Sequence, residues 1–133
     1  MLLLLPQPES IAMPRPILDE TQLHPDIRER VARLHGDVVA EVRQAVERHP
    51  VVVVGMAQNP FPKRAVRWLR EAGIEPHVLS YGSYFSQWRR RNALKMWTGW
   101  PTFPMVFVRG TLVVGADEVR RLLDRGELQQ LLR

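Results

Sequence analysis

A chain of 133 residues suffices for one ordinary domain with a buried core, and its 45% hydrophobic and 25% charged residues are a globular composition. It contains no cysteine, which excludes disulfide frameworks, thiolate metal sites and thiol nucleophiles supplied by this chain. The net charge of +5 is uneven: residues 1–50 carry six Arg against eight acids, a net of −2, and residues 51–133 carry thirteen Lys and Arg against six acids, a net of +7. The second segment should attract anions, yet seventeen of the nineteen cations are Arg and they form no basic stripe, which argues against a nucleic acid partner.

The opening MLLLLP is too short for a signal-peptide core or a membrane span. Residues 1–16 read as a loose leader, and the expectation is a cytoplasmic protein with no membrane partner. Residues 17–50 form an N-terminal helical extension. Within it Pro25 suits a helix first turn, and Ile27, Val31, Leu34, Val38, Val42 and Val46 recur at spacings of three to four. One long amphipathic helix, or two broken near Gly36, fills residues 25–48, and Pro50 stops it.

VVVVG at 51–55 is a β-branched run, the mark of a central strand covered on both faces. The stretch GMAQNPFPKRAVRWL then turns into a helix over 60–72, closed by Gly73. Residues 76–79 predict a short strand, and 81–97 a loop around Gly82 that becomes helical toward Leu94. FPMVFV and TLVV, split by Arg109-Gly110, predict a tight hairpin, and one or two short helices over 115–132 close the chain. A parallel βαβ unit followed by a hairpin on one four-stranded mixed sheet, flanked by helices, is the α/β fold this order describes.

Residues 51–65, VVVVGMAQNPFPKRA, align without a gap on V-V-x-[FY]-[ST]-K-x-x-C-P-[YF]-C-x-[KR]-A. Residues 93–117, ALKMWTGWPTFPMVFVRGTLVVGAD, align on L-K-x-[YF]-[ST]-x-W-P-T-[FYI]-P-Q-[LV]-[FYW]-V-x-G-x-x-x-G-G-[CS]-D. By these motifs the chain resembles the monothiol glutaredoxins, over residues 51–132. The resemblance implies a thioredoxin-like (glutaredoxin) fold with an extra N-terminal helix, residues 51–133 being the glutaredoxin-like domain. It also implies a cis peptide before Pro104 and a groove for glutathione or an extended peptide.

In that groove Thr102, Phe103 and Pro104 would expose the Phe103 amide and carbonyl to pair with the ligand backbone. Arg91 would grip the glycyl carboxylate. The helix start at Gly115, Ala116 and Asp117 would hold the γ-glutamyl end. The bland alternative for Arg91 is a solvated helix face shared with Arg89 and Arg90.

The departures carry the functional reading. Asn59 and Pro62 occupy the Cys-x-x-Cys positions, Met56 stands at the family's lysine, Val114 at its first paired Gly, and Ala116 at its Cys or Ser. An amide forms no mixed disulfide and is a poor iron ligand, so no catalytic residue is assigned. Asn59 is instead a strong N-cap with Pro60 after it. His24, His35, His49 and His77 lack ligand spacing, so no metal site and no required cofactor is expected, glutathione being the one ligand implied.

Six of the ten aromatics, Tyr81, Tyr84, Phe85, Trp88, Trp97 and Trp100, cluster in 81–100 beside three arginines. They can form a protein-recognition surface, although Trp97 and Phe85 should help pack the helix on the sheet. Two readings follow: a redox-inactive glutathione- or peptide-binding regulatory module, or an interaction adaptor whose protein partner docks on 81–100. The family activity, a glutathione-dependent thiol-disulfide oxidoreductase or iron–sulfur carrier, is opposed by the missing sulfur.

Overall fold

The computed structural model describes residues 14–133, so the leader assigned to 1–16 lies almost wholly outside the described residues. The chain divides into two units, Met1–Ala32 and Arg33–Arg133. In the first, a 3-10 turn at Glu20–Gln22 is capped by Asp19, whose Oδ1 accepts from the Thr21 N–H at 2.8 Å. Helix α1, Pro25–Arg33, follows and buries none of its residues. Helix α2, Gly36–Arg48, starts after His35 in a left-handed conformation (φ 47°), so the helical stretch is two helices.

The second unit begins at Arg33 rather than at Val51, because Val38, Val42 and Ala45 of α2 are buried in the sheet's own core. Its center is strand β1, Val51–Gly55, buried at every position. The remaining elements are α3 (Pro60–Glu71), β2 (His77–Ser80), α4 (Trp88–Thr98), β3 (Met105–Val108), β4 (Thr111–Val114), α5 (Ala116–Asp124) and α6 (Glu127–Leu131). The strands run in the order β2-β1-β3-β4. β1 pairs parallel with β2 through the α3 crossover, and antiparallel with β3.

Side chains of a strand alternate between faces, and β1 uses this to hold two layers. Val52 and Val54 join α2 and α4 through Val38, Val42, Ala93 and Leu94. Val51 and Val53 join α3, α5 and α6 through Ala65, Leu69, Val119 and Leu128. Each fully buried valine contributes about 1.5–3 kcal/mol by area removed from water.

The β3–β4 turn is Arg109-Gly110 with φ of 50° and 84°, the two positive values a two-residue type I′ turn needs. A register shift at Val106/Phe107 marks a bulge in β4, and beyond it Val114 sits at φ 69°. A β-branched side chain is strained in that region by roughly 1–3 kcal/mol. Val114→Gly should therefore raise unfolding free energy by about 1 kcal/mol, the strain released exceeding the half-buried side chain lost. A chemical denaturation series in which the variant is less stable would show that packing outweighs strain here.

Candidate functional site

Gly55 ends β1 where no Cβ fits, since one would lie 2.7 Å from the Pro62 Cβ. The chain next buries Met56 in the α2/α4 layer, so the place of the family's lysine is apolar. Ala57 ties the loop to its neighbor by donating to the Gly82 carbonyl at 2.7 Å, and Gln58 takes a left-handed conformation. Asn59 follows in an extended conformation as the N-cap of α3, with Pro60 as the first helical residue.

The Asn59 side chain is committed at both ends. Its Oδ1 accepts from the Phe61 N–H at 3.0 Å, a cap worth about 1 kcal/mol. Its Nδ2 donates to the carbonyl oxygen of Phe103 at 3.3 Å. Phe103 precedes Pro104 through a cis peptide bond, and both are buried.

A groove of about 410 Å³ runs past Asn59. Thr102, Phe103, Pro104, Gly115, Ala116 and Asp117 all line it, as do Tyr84 and Trp100. Two of its polar groups already have protein partners. The Phe103 carbonyl, which the resemblance exposes to a ligand, accepts from Asn59 Nδ2. The Gly115 N–H at the start of α5 donates to Glu118 Oε1 at 3.1 Å, and Glu118 is in turn held by Arg121 at 3.0 Å.

Arg91 departs from the role its register assigns. It is buried, it does not line the groove, and its Nη1 donates to the carbonyls of Tyr81 (2.9 Å) and Ser86. With Nη1 held by two carbonyls, the buried Arg91 clamps the 81–86 loop away from the groove, so its role here is structural. Lys95, one turn further along α4, does not line the groove either, but its Nζ lies 5.9 Å from the ring center of Phe103, which does. Lys95 lies inside the quoted L-K motif, and that adjacency was its only sequence signal.

The clamp explains a second difference. Trp97 does pack α4 on the sheet, stacking on Phe107 at 5.9 Å. Phe85 does not: it is 89% exposed at the tip of the pinned loop, with Tyr84 and Trp88 also exposed. Ser83 and Ser86 hold the loop further, the Ser83 N–H donating to Ser86 Oγ at 3.0 Å. Arg89 lies 5.0 Å over the Trp88 ring.

Among the described residues no group of three or more His, Asp or Glu is arranged to hold a metal ion, and no helix is long and apolar enough to cross a membrane.

The glutaredoxin family model matches residues 51–113. A glutaredoxin-like protein of Dictyostelium discoideum is 47% identical over 94 residues, covering 71% of this chain and 76% of that protein. A probable monothiol glutaredoxin of Legionella pneumophila is 32% identical over 78 residues, covering 59% and 84%. In three dimensions the chain is similar to oxidized glutaredoxin 2 of Chlamydomonas reinhardtii, with a TM-score of 0.63 and 25% identity over 74% of this chain and 92% of that one. A buckwheat glutaredoxin, solved as a glutathione complex, has the same fold at a TM-score of 0.64 and 22% identity, over 75% and 91%. The chain belongs to the glutaredoxin family, on its monothiol-like side. Its fold is the thioredoxin-like one of that family.

Behind the loop, the Tyr81 hydroxyl donates to Glu41 of α2, and Arg90 bridges from the Tyr81 ring to Asp37 at 3.2 Å. Burial first, and the adjoining Glu41 carboxylate second, hold the Tyr81 phenol well above its ordinary value. A raised folded-state value means this stabilization is complete below about pH 10, where the unfolded phenol titrates, and is lost as pH rises above it. Stability should fall above about pH 10 in the unmodified chain and fall less in Tyr81→Phe. Parallel curves for the two from neutral to alkaline pH would remove Tyr81 as the titrating group.

Proposed function

We propose that this glutaredoxin-family protein is a redox-inactive binding or regulatory module whose groove takes glutathione or an extended peptide without exchanging thiols. One observation carries the reading: an asparagine, hydrogen-bonded at both ends of its amide, stands where the family motif has its nucleophilic cysteine, in a chain without cysteine. The site is built as a scaffold. A helix cap, a peptide-facing backbone at Phe103 and a helix start at Ala116 and Asp117 are retained, and the sulfur chemistry is not.

Binding here is weaker than a vacant groove would give. A ligand backbone must compete with Asn59 Nδ2 for the Phe103 carbonyl, and only the amides beyond Gly115 are free of the Glu118 cap. Lys95 supplies the cation for a carboxylate, and Asp117, exposed in the first turn of α5, an acceptor for an ammonium.

A second reading is favored by the pinned aromatic loop. Tyr84, Phe85 and Trp88 hold large exposed surface on a backbone fixed by Arg91, which is how a protein-recognition hot spot is presented. In that case the partner docks on 81–100 and the groove contributes only its Tyr84 wall.

Titration with reduced glutathione, followed at the backbone amides of Phe103, Ala116 and Asp117 by NMR, separates the two. Saturable shifts there, weakened about tenfold by Lys95→Ala or Asp117→Ala through loss of one charge-assisted contact, are expected if the groove binds. No shift at millimolar glutathione, with Trp88→Ala abolishing a partner interaction, would transfer the function to the loop. A glutathione-dependent disulfide-reduction assay should stay at blank, and Asn59→Cys should raise it; turnover by the unmodified chain would overturn the redox-inactive assignment.

A further inference from the structure

A second cavity, of about 820 Å³ against about 410 Å³ for the Asn59 groove, lies between α3 and strand β2. It touches neither Phe103 nor the helix start at Gly115. Pro62, Val66, Val78 and Leu79 give it apolar walls, and Lys63 and Arg67, one turn apart on α3, stand at its rim.

Two further features belong to the same place. Among the described residues β2 is an edge strand, with β1 on one side only. Because the Tyr81 N–H donates to Gly55 at 3.0 Å, alternation turns the amides of His77 and Leu79 toward β1 and those of Val78 and Ser80 outward. The Val78 side chain is 44% exposed beside those outward amides. The charges are also unbalanced. Arg70 is engaged by Glu75 at 2.9 Å, whereas Lys63 and Arg67 enter no ion pair among the described residues; Glu71 is the single carboxylate on that wall.

We propose that this edge and cavity dock an extended acidic segment of a partner protein, added as a strand outside β2. Its backbone would pair with Val78 and Ser80, and among the side chains it turns to the α3 face, every second residue, apolar ones would fill the cavity and carboxylates would meet Lys63 and Arg67. A small amphiphilic anion would use the cavity and the cations but leave the outward amides without a role. A second copy of this chain would bring its own Lys63 and Arg67 against the first pair, which like-charge juxtaposition disfavors. An acidic strand answers all three features together.

The probe is a short fluorescein-labelled peptide of the repeat Val-Ser-Glu-Ser, which puts Val and Glu on one face of a strand, titrated with the full chain and read by fluorescence anisotropy. Saturable binding is expected, weakened at least about tenfold by Val78→Lys and by the double change Lys63→Glu, Arg67→Glu, and absent for the same peptide with Lys in place of each Glu. Amide shifts should center on Val78 and Ser80, and millimolar glutathione should leave the binding unchanged. Equal affinity in both variants, shifts centered on Phe103, no saturation at millimolar peptide, or displacement of the peptide by glutathione would each overturn the proposal. So would dodecanoate saturating the same amides while the peptide does not. Should Val78→Lys lower the melting temperature, the double change on exposed helix positions carries the test alone.

Discussion

The structure depends on the burial of one five-residue strand from both sides. Val51–Gly55 takes a parallel neighbor on one edge and an antiparallel one on the other, and feeds alternate valines into two separate helix layers. No residue of β1 can be polar without stranding a group between layers. That constraint also aims the site: the strand ends at Gly55, against Pro62, so the loop that follows must emerge beside the cis Phe103–Pro104 bond.

Around Asn59 the polar groups are engaged in internal hydrogen bonds. Asn59 caps α3 and closes on Phe103, while Glu118 closes on Gly115. Both bonds satisfy backbone groups that would otherwise wait for a ligand or for water. A ligand entering the groove would gain only the difference between its own hydrogen bonds and those it displaces. Val114 is held at φ 69° where the family motif has glycine, a conformation that glycine adopts at lower cost.

The segment 81–91 links this groove to α2. Tyr81 reaches Glu41, Arg90 reaches Asp37, and Arg91 secures two loop carbonyls. These contacts make α2 part of the second unit's core and hold the loop that projects Phe85 into solvent.

The sequence by itself determined the elements and their order. VVVVG, the Arg109-Gly110 turn, the Asn59-Pro60 helix start and the WPTFP motif are local signals, each set by backbone preference or by side-chain periodicity within a few residues. It also determined the absence of thiol chemistry, since a missing cysteine is a matter of composition. Only the tertiary structure decided where the side chains at 91, 95 and 85 go. Arg89, Arg90 and Arg91 are equivalent by type, and which one turns inward depends on carbonyls at Tyr81 and Ser86 that approach only once the loop has folded over α4. The Asn59–Phe103 bond spans forty-four positions of chain, and the cavity beside β2 exists because the sheet ends there. Contacts of that separation are fixed by packing between layers, and no spacing along the chain encodes them.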